Sequence, residues 1–204
     1  MSQLPTPAVV GPLAAELLAR LHADPDFPRL QSSTVKYADC WGTFSGYPII
    51  CEFDLATDSP PLFTEATRVL ALKAAVFELT GGDEHAAELV IAAPVDEMIH
   101  AVIAQFTLCF EIRTRTGVPL IHMTDQERFG FDHEDGEGAY TVACYRAAGW
   151  GEPNDRYWIG HAETQRRLAL LDTRYDSIGI REFGRAHDIT FADPRETGAR
   201  VAVG

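Results

Sequence analysis

The sequence predicts a mainly α-helical fold, a helical bundle around a central helix at 95–116 with a small β element near 34–54. Three observations carry this. Apolar residues recur at helical spacing in several separate stretches, the pattern of helices with one buried face. Segments rich in proline and glycine, at 24–30, 81–82, 117–119 and 149–153, punctuate those stretches. Hydrophobic residues make up 46% of 204 residues, enough for one core without disulfide or metal staples. A single domain over 1–204 is therefore expected, with 192–204, poor in bulky apolar side chains, expected as a mobile tail.

The elements follow in order. Over 9–22, Leu13, Leu17, Leu18 and Leu21 share a stripe, and Pro12 suits a first helical turn, where a missing N–H costs little. Asp-Pro-Asp-Phe-Pro at 24–28 ends that helix. The segment 34–54 is rich in β-branched and aromatic residues and broken by Gly42, Gly46 and Pro48. It reads as two short strands or as an irregular aromatic loop packed on the helices. A helix is predicted over 59–80, capped by Ser59 or Thr64, with Val69, Leu72, Val76 and Leu79 on one face and Gly81-Gly82 as its stop. The stretch 81–94 is ambiguous between a short helix and a linker.

The 95–116 helix is the strongest. Asp96 and Glu97 fall in its first turn and Arg113 and Arg115 in its last, matching the helix dipole at both ends. Its expected buried stripe is Ile99, Val102, Ile103, Phe106 and Phe110, and Gly117 and Pro119 follow it. An acidic, aromatic loop, a helix at 139–149, a turn at 150–158 and a helix at 159–172 come next. Two short strands are read in 177–183 and 187–191.

Charge narrows the function. Seventeen Lys and Arg stand against 30 Asp and Glu, a formal net charge of −13. Such a surface repels phosphate backbones and anionic lipids, and no basic cluster interrupts it. Nucleic-acid and membrane partners are not expected, and no run approaches the roughly 20 apolar residues of a span. Small molecules and cations suit the charge, and self-association as a homo-oligomer stays open. The N-terminal stretch lacks a signal-peptide pattern. None of Cys40, Cys51, Cys109 and Cys144 forms a C-x-x-C pair, so a cytoplasmic protein with reduced thiols is expected. Cys109 and Cys144 read as buried packing, and Tyr140, Tyr145, Trp150, Tyr157 and Trp158 as core or interface. No nucleophile elbow, phosphate loop or dinucleotide fingerprint is present.

The chemistry-bearing group lies between 96 and 133. Asp96 and His100, four apart on one helix, project from the same face, and His122 follows the turn that closes that helix. Asp132 and His133 lie about ten residues beyond. One carboxylate and two neutral imidazoles suit a borderline divalent metal, Fe or Zn, and leave positions for water or substrate. The bland reading has Asp96 capping the helix and bonding His100, while His122 anchors the loop.

Residues 94–158 also resemble the glycine-rich domain-containing protein-like family. The motif elements are Asp96 early in a helix, His100 where the family has the histidine of a Trp-His pair, Cys109, Gly117, and His122 as the first of two paired histidines. Tyr140, Tyr145, Pro153 and Trp158 carry a downstream part. Ile99 and Met123 depart from the pattern, standing where the family has tryptophan and the second histidine. The resemblance implies that Asp96, His100 and His122 belong together in space, and it supplies no substrate.

Two functions follow as expectations. One is a small-molecule enzyme, of specialised metabolism, using a cleft formed by Asp96, His100 and His122. There the three hold a divalent metal, or His100 acts as a general base oriented by Asp96. The other is a non-catalytic binding or scaffold module in which these histidines are structural.

Overall fold

The computed structural model of the chain describes residues 4–36, 53, 55–123, 130–177, 180–183 and 188–191. Among them are eight helices: α1 (Pro7–His22), α2 (Phe27–Lys36), α3 (Leu55–Leu79), α4 (Glu84–Ala87), α5 (Ala93–Ile103), α6 (Phe106–Thr116), α7 (Gly136–Ala147) and α8 (His161–Ser177). The two strands read near the C-terminus are present as β1 (Ile180–Phe183) and β2 (Asp188–Phe191). They pair antiparallel, with Ile180 opposite Phe191. The β element expected near 34–54 is not supported. Thr34 to Lys36 close α2, Phe53 sits in a bend, and 37–52 and 54 lie outside the described residues, as does the tail at 192–204.

The centre of the bundle is α3, not the 95–116 segment. Helices α1, α2, α4, α5 and α7 all pack on it. From Leu62 to Val76 it buries Leu62, Phe63, Ala66, Val69, Leu70, Ala71, Leu72, Ala74, Ala75 and Val76, on every side of the helix. A helix apolar all round belongs in the middle of a core. The stripe expected there holds at Val69, Leu72 and Val76, whereas Leu79 is exposed at the last turn. The helix also begins before Ser59, so Pro60 and Pro61 sit inside it. Helix α1 likewise starts at Pro7, which places Pro12 in its interior rather than its first turn. Val10, Ala14, Leu17, Leu18 and Leu21 bury its inner face. Gly11 lets α1 touch the end of α7, since a Cβ there would stand 2.3 Å from the Ala147 carbonyl carbon.

The 95–116 segment is two helices. The chain leaves α5 at Ala104 and Gln105, whose ψ of 45° departs from helical geometry. The Val102 carbonyl accepts from Gln105 N at 3.0 Å and from the Cys109 thiol at 3.2 Å. The break turns α6 relative to α5, so the expected stripe does not continue. Ile99 and Val102 are fully buried, but Phe106 and Phe110 are exposed, and α6 buries Leu108, Cys109 and Ile112 instead. Gly117 ends α6 in the left-handed region at φ 70°, as a C-terminal glycine should, and turns the chain back toward α3 and α5. Arg115 pins α6 to the α1–α2 turn through a bidentate pair with Asp24, at 2.8 and 2.9 Å.

The turn at 150–158 docks on α3 by polar contacts. The buried Glu65 carboxylate accepts from Trp158 Nε1 at 2.8 Å, Tyr145 OH at 3.1 Å and Arg68 at 2.9 Å. Asp58 accepts from Arg156 twice at 2.7 Å and from Tyr157 OH at 2.9 Å. The aromatic group is thus core: Tyr145, Tyr157 and Trp158 are buried, and Tyr140 and Trp150 are partly buried against them.

Candidate metal centre

Helix α5 opens with Pro94 in its first turn and Ala92 as its extended N-cap, so Asp96 is a first-turn residue and not the cap itself. Four residues on, His100 stands on the same face, its Nε2 3.9 Å from Asp96 Oδ2. The stretch after Gly117 carries His122 to this face from the other side. His122 Nε2 lies 4.0 Å from Asp96 Oδ1, and the two imidazoles face each other with centroids 4.7 Å apart. The three candidate ligand atoms all fall within 4.8 Å of one another. Divalent ions with bonds of about 2.0–2.1 Å want donors roughly 3.0–3.4 Å apart, so an inward shift of less than about 1 Å per side chain would close the set.

The triad lies at the edge of the core. The His122 side chain is 1% exposed, while Asp96 and His100 retain 18% and 28%. His122 Nε2 is buried and has no hydrogen-bond partner among the described residues. A lone buried ring nitrogen aimed at a carboxylate and a second imidazole is suited to a ligand.

Behind the two rings stand groups that local sequence motifs did not reveal. His100 Nδ1 faces the buried Glu97 at 3.8 Å, and His122 Nδ1 faces the buried Glu88 at 3.6 Å. Each imidazole therefore has its Nε2 toward Asp96 and a carboxylate behind its Nδ1, the outer arrangement typical of metal-bound histidine. Lys73, wholly buried in α3, bonds Glu88 Oε1 and lies 3.1 Å from His122 Nδ1. Glu88 Oε2 accepts from Met123 N at 3.1 Å, fixing the backbone beside His122. Burial by itself would raise the Glu88 carboxyl. The neighbouring His122 ring and the Lys73 ammonium together outweigh it and hold the group below its ordinary value. Among the described residues, Asp96, Glu88 and Glu97 bring three carboxylates to this cluster and Lys73 one ammonium.

Asp132 and His133 are not brought into this cluster. Asp132 accepts from Glu134 N at 3.0 Å, and His133 bonds the Trp158 carbonyl and packs edge-on against Phe131, so both brace the loop before α7. Burial pushes the Cys109 and Cys144 thiols up to about 11, which leaves both as packing groups and poor nucleophiles at neutral pH.

A signal for the missed groups existed. Lys73 is the one charge in the run Val-Leu-Ala-Leu-Lys-Ala-Ala-Val-Phe, where a buried lysine requires a buried acid. Glu97 sits three residues before His100, within helical reach.

No helix among the described residues is long and apolar enough to cross a membrane. No family model, no curated protein and no solved structure matches this chain.

Proposed function

We propose that the chain is a metal-dependent enzyme acting on a small molecule, with a divalent cation, iron or zinc, held by Asp96, His100 and His122. The observation that carries this reading is the shared orientation of the two imidazoles, each with Nε2 toward Asp96 and a carboxylate behind Nδ1. Two histidines and one carboxylate leave coordination positions open, where a cation can polarise a substrate oxygen or activate water or dioxygen. The partial exposure of Asp96 and His100 supplies the approach, and the charge of −13 favours attraction of the cation. Cytoplasmic location and a role in specialised metabolism belong to this proposal.

Elemental analysis of the protein purified without chelators tests it. About one equivalent of iron or zinc per chain is expected, lost in Asp96→Asn and His122→Ala. Chains that stay metal-free, and take up neither Fe(II) nor Zn(II) on reconstitution, would sink the reading.

A second reading is favoured by one contact. Lys73 Nζ lies 3.1 Å from His122 Nδ1, which also suits a histidine that braces the 118–123 stretch in a non-catalytic binding or scaffold module. In that case His122→Ala lowers stability and changes no metal content.

A further inference from the structure

Two groups compete for the same ring nitrogen of His122. The Lys73 ammonium, 3.1 Å from Nδ1, can donate to it, and the ring then carries its proton on Nε2, toward Asp96. Glu88 Oε1, 3.6 Å from Nδ1, can only accept as a carboxylate, and the ring then carries its proton on Nδ1 and presents a lone pair at Nε2. An ammonium hydrogen and an Nδ1–H cannot both point along that contact. Only the second arrangement can ligate a cation through Nε2.

We propose that Glu88 is the positioning residue that selects the ligating tautomer of His122, with Lys73 as the buried charge that holds Glu88 in place. This rests on the metal reading above. Three placements support it. Glu88 is the C-cap residue of α4, its side chain 3% exposed, so its orientation is set by packing rather than by solvent. One of its oxygens takes Lys73, and the other takes the backbone N–H of Met123, the residue after His122. The carboxylate therefore fixes the chain that carries the ring, and stands 3.6 Å behind its Nδ1. His122 Nε2, on the opposite side of the ring, has no hydrogen-bond partner among the described residues; the ring's described hydrogen-bonding contact is with Lys73 at Nδ1, with Glu88 beside it at 3.6 Å. A carboxylate in this position also makes the imidazole a stronger donor to a cation, and losing such a partner costs about 10–100-fold in metal affinity. Glu97, 3.8 Å from His100 Nδ1, is placed to do the same for the second ring, but it rides on the same helix as its histidine, whereas Glu88 and His122 come from separate segments.

The test uses zinc alone as the probe, on the full chain. Zinc titration by calorimetry compares wild type with Glu88→Gln, whose amide oxygen can still accept from Lys73. The expected result is a loss of about 10–100-fold in zinc affinity. Nitrogen-15 NMR of the histidine rings, with His122 assigned by difference against His122→Ala, reads the tautomer directly. Zinc-free wild type should already show His122 protonated at Nδ1 with a lone pair at Nε2, and Glu88→Gln should shift that proton toward Nε2, a change that a merely structural Glu88 would not produce. Equal zinc affinity in Glu88→Gln, or a His122 proton on Nε2 in zinc-free wild type, overturns the role of Glu88 while leaving the metal reading intact. A wild type that binds no zinc and no Fe(II) removes both. If Glu88→Gln does not fold, the zinc-free wild-type spectrum decides: a proton on Nδ1 upholds the role and a proton on Nε2 overturns it.

Discussion

The His100 and His122 rings stand 4.7 Å apart, centroid to centroid, although one rides on α5 and the other on the stretch that follows α6. Their Nε2 atoms approach the two oxygens of one carboxylate, Asp96, at 3.9 and 4.0 Å. A cation bound there would tie the two segments together in the folded state only, and so should raise the melting temperature. Zinc at about 100 times its dissociation constant stabilises by about 2.7 kcal/mol. Calorimetric melts should show this rise in wild type and none in His100→Ala or His122→Ala. Without metal, His122→Ala should be the less stable of the two variants, by about 1–3 kcal/mol relative to wild type, because its ring is buried against Lys73 and Glu88 while His100 is partly exposed. No zinc-induced rise in wild type, or the same zinc-free melting temperature for both variants, would contradict this.

Glu65 organises the other polar interior. Its carboxylate accepts from Trp158 Nε1 and Tyr145 OH, both buried. Glu65→Ala leaves two buried donors without their acceptor, at about 1–3 kcal/mol each and not strictly additive. Urea unfolding followed by tryptophan fluorescence should show a loss of about 2–5 kcal/mol. Glu65→Gln, which keeps one acceptor oxygen, should lose less. A midpoint for Glu65→Ala within error of wild type would show that water replaces the carboxylate at no cost.

What could be read in advance divides along physical lines. Asp96 and His100 were legible because an i, i+4 pair on a periodic helix has its geometry set by the helix alone. His122 was legible as following the turn that closes that segment. Lys73 and Glu88 were not, because they meet His122 from two further elements, and long-range packing leaves no spacing rule in the chain. The break at Ala104 and Gln105 was hidden for a similar reason. No proline or glycine marks it, and the 95–116 periodicity is continuous, so the spacing predicts burial for Phe106 and Phe110, which the turn of α6 exposes. The hub position of α3 had a visible cue in its run of apolar residues on all faces, a pattern that marks a central helix better than a clean single stripe does.

Acid should act through Asp24. Its hydrogen bonds from Arg115 hold its carboxyl below the ordinary 3.8, with burial opposing them. A carboxyl depressed in the folded state binds fewer protons folded than unfolded near that value. Its contribution is present in full above about pH 5, and is lost as the pH falls through 3.8 toward the lowered folded value. Asp24→Asn should therefore be less stable than wild type at pH 7, and the gap should narrow at pH 3. Urea midpoints at pH 7, 5 and 3 measure this. A gap that is constant across those values would show that Arg115 contributes through packing and not through charge.

Gly11 sets opposing effects against each other. In a helix interior, alanine is favoured over glycine by about 1 kcal/mol, so local propensity predicts that Gly11→Ala stabilises α1. The tertiary contact predicts the reverse. The new Cβ would stand 2.3 Å from the Ala147 carbonyl carbon and 2.5 Å from Ala148 N, and both obstacles are backbone, with no flexible side chain to swing aside. Relieving the clash requires α1 and the end of α7 to separate, and overpacking of this kind costs about 1–3 kcal/mol or more. Val10 and Ala14, both fully buried beside Gly11, would lose contact in the process. Net destabilisation of Gly11→Ala in chemical unfolding is the expected outcome. A variant as stable as wild type, or more so, would mean that α1 and α7 are not in close contact at this point.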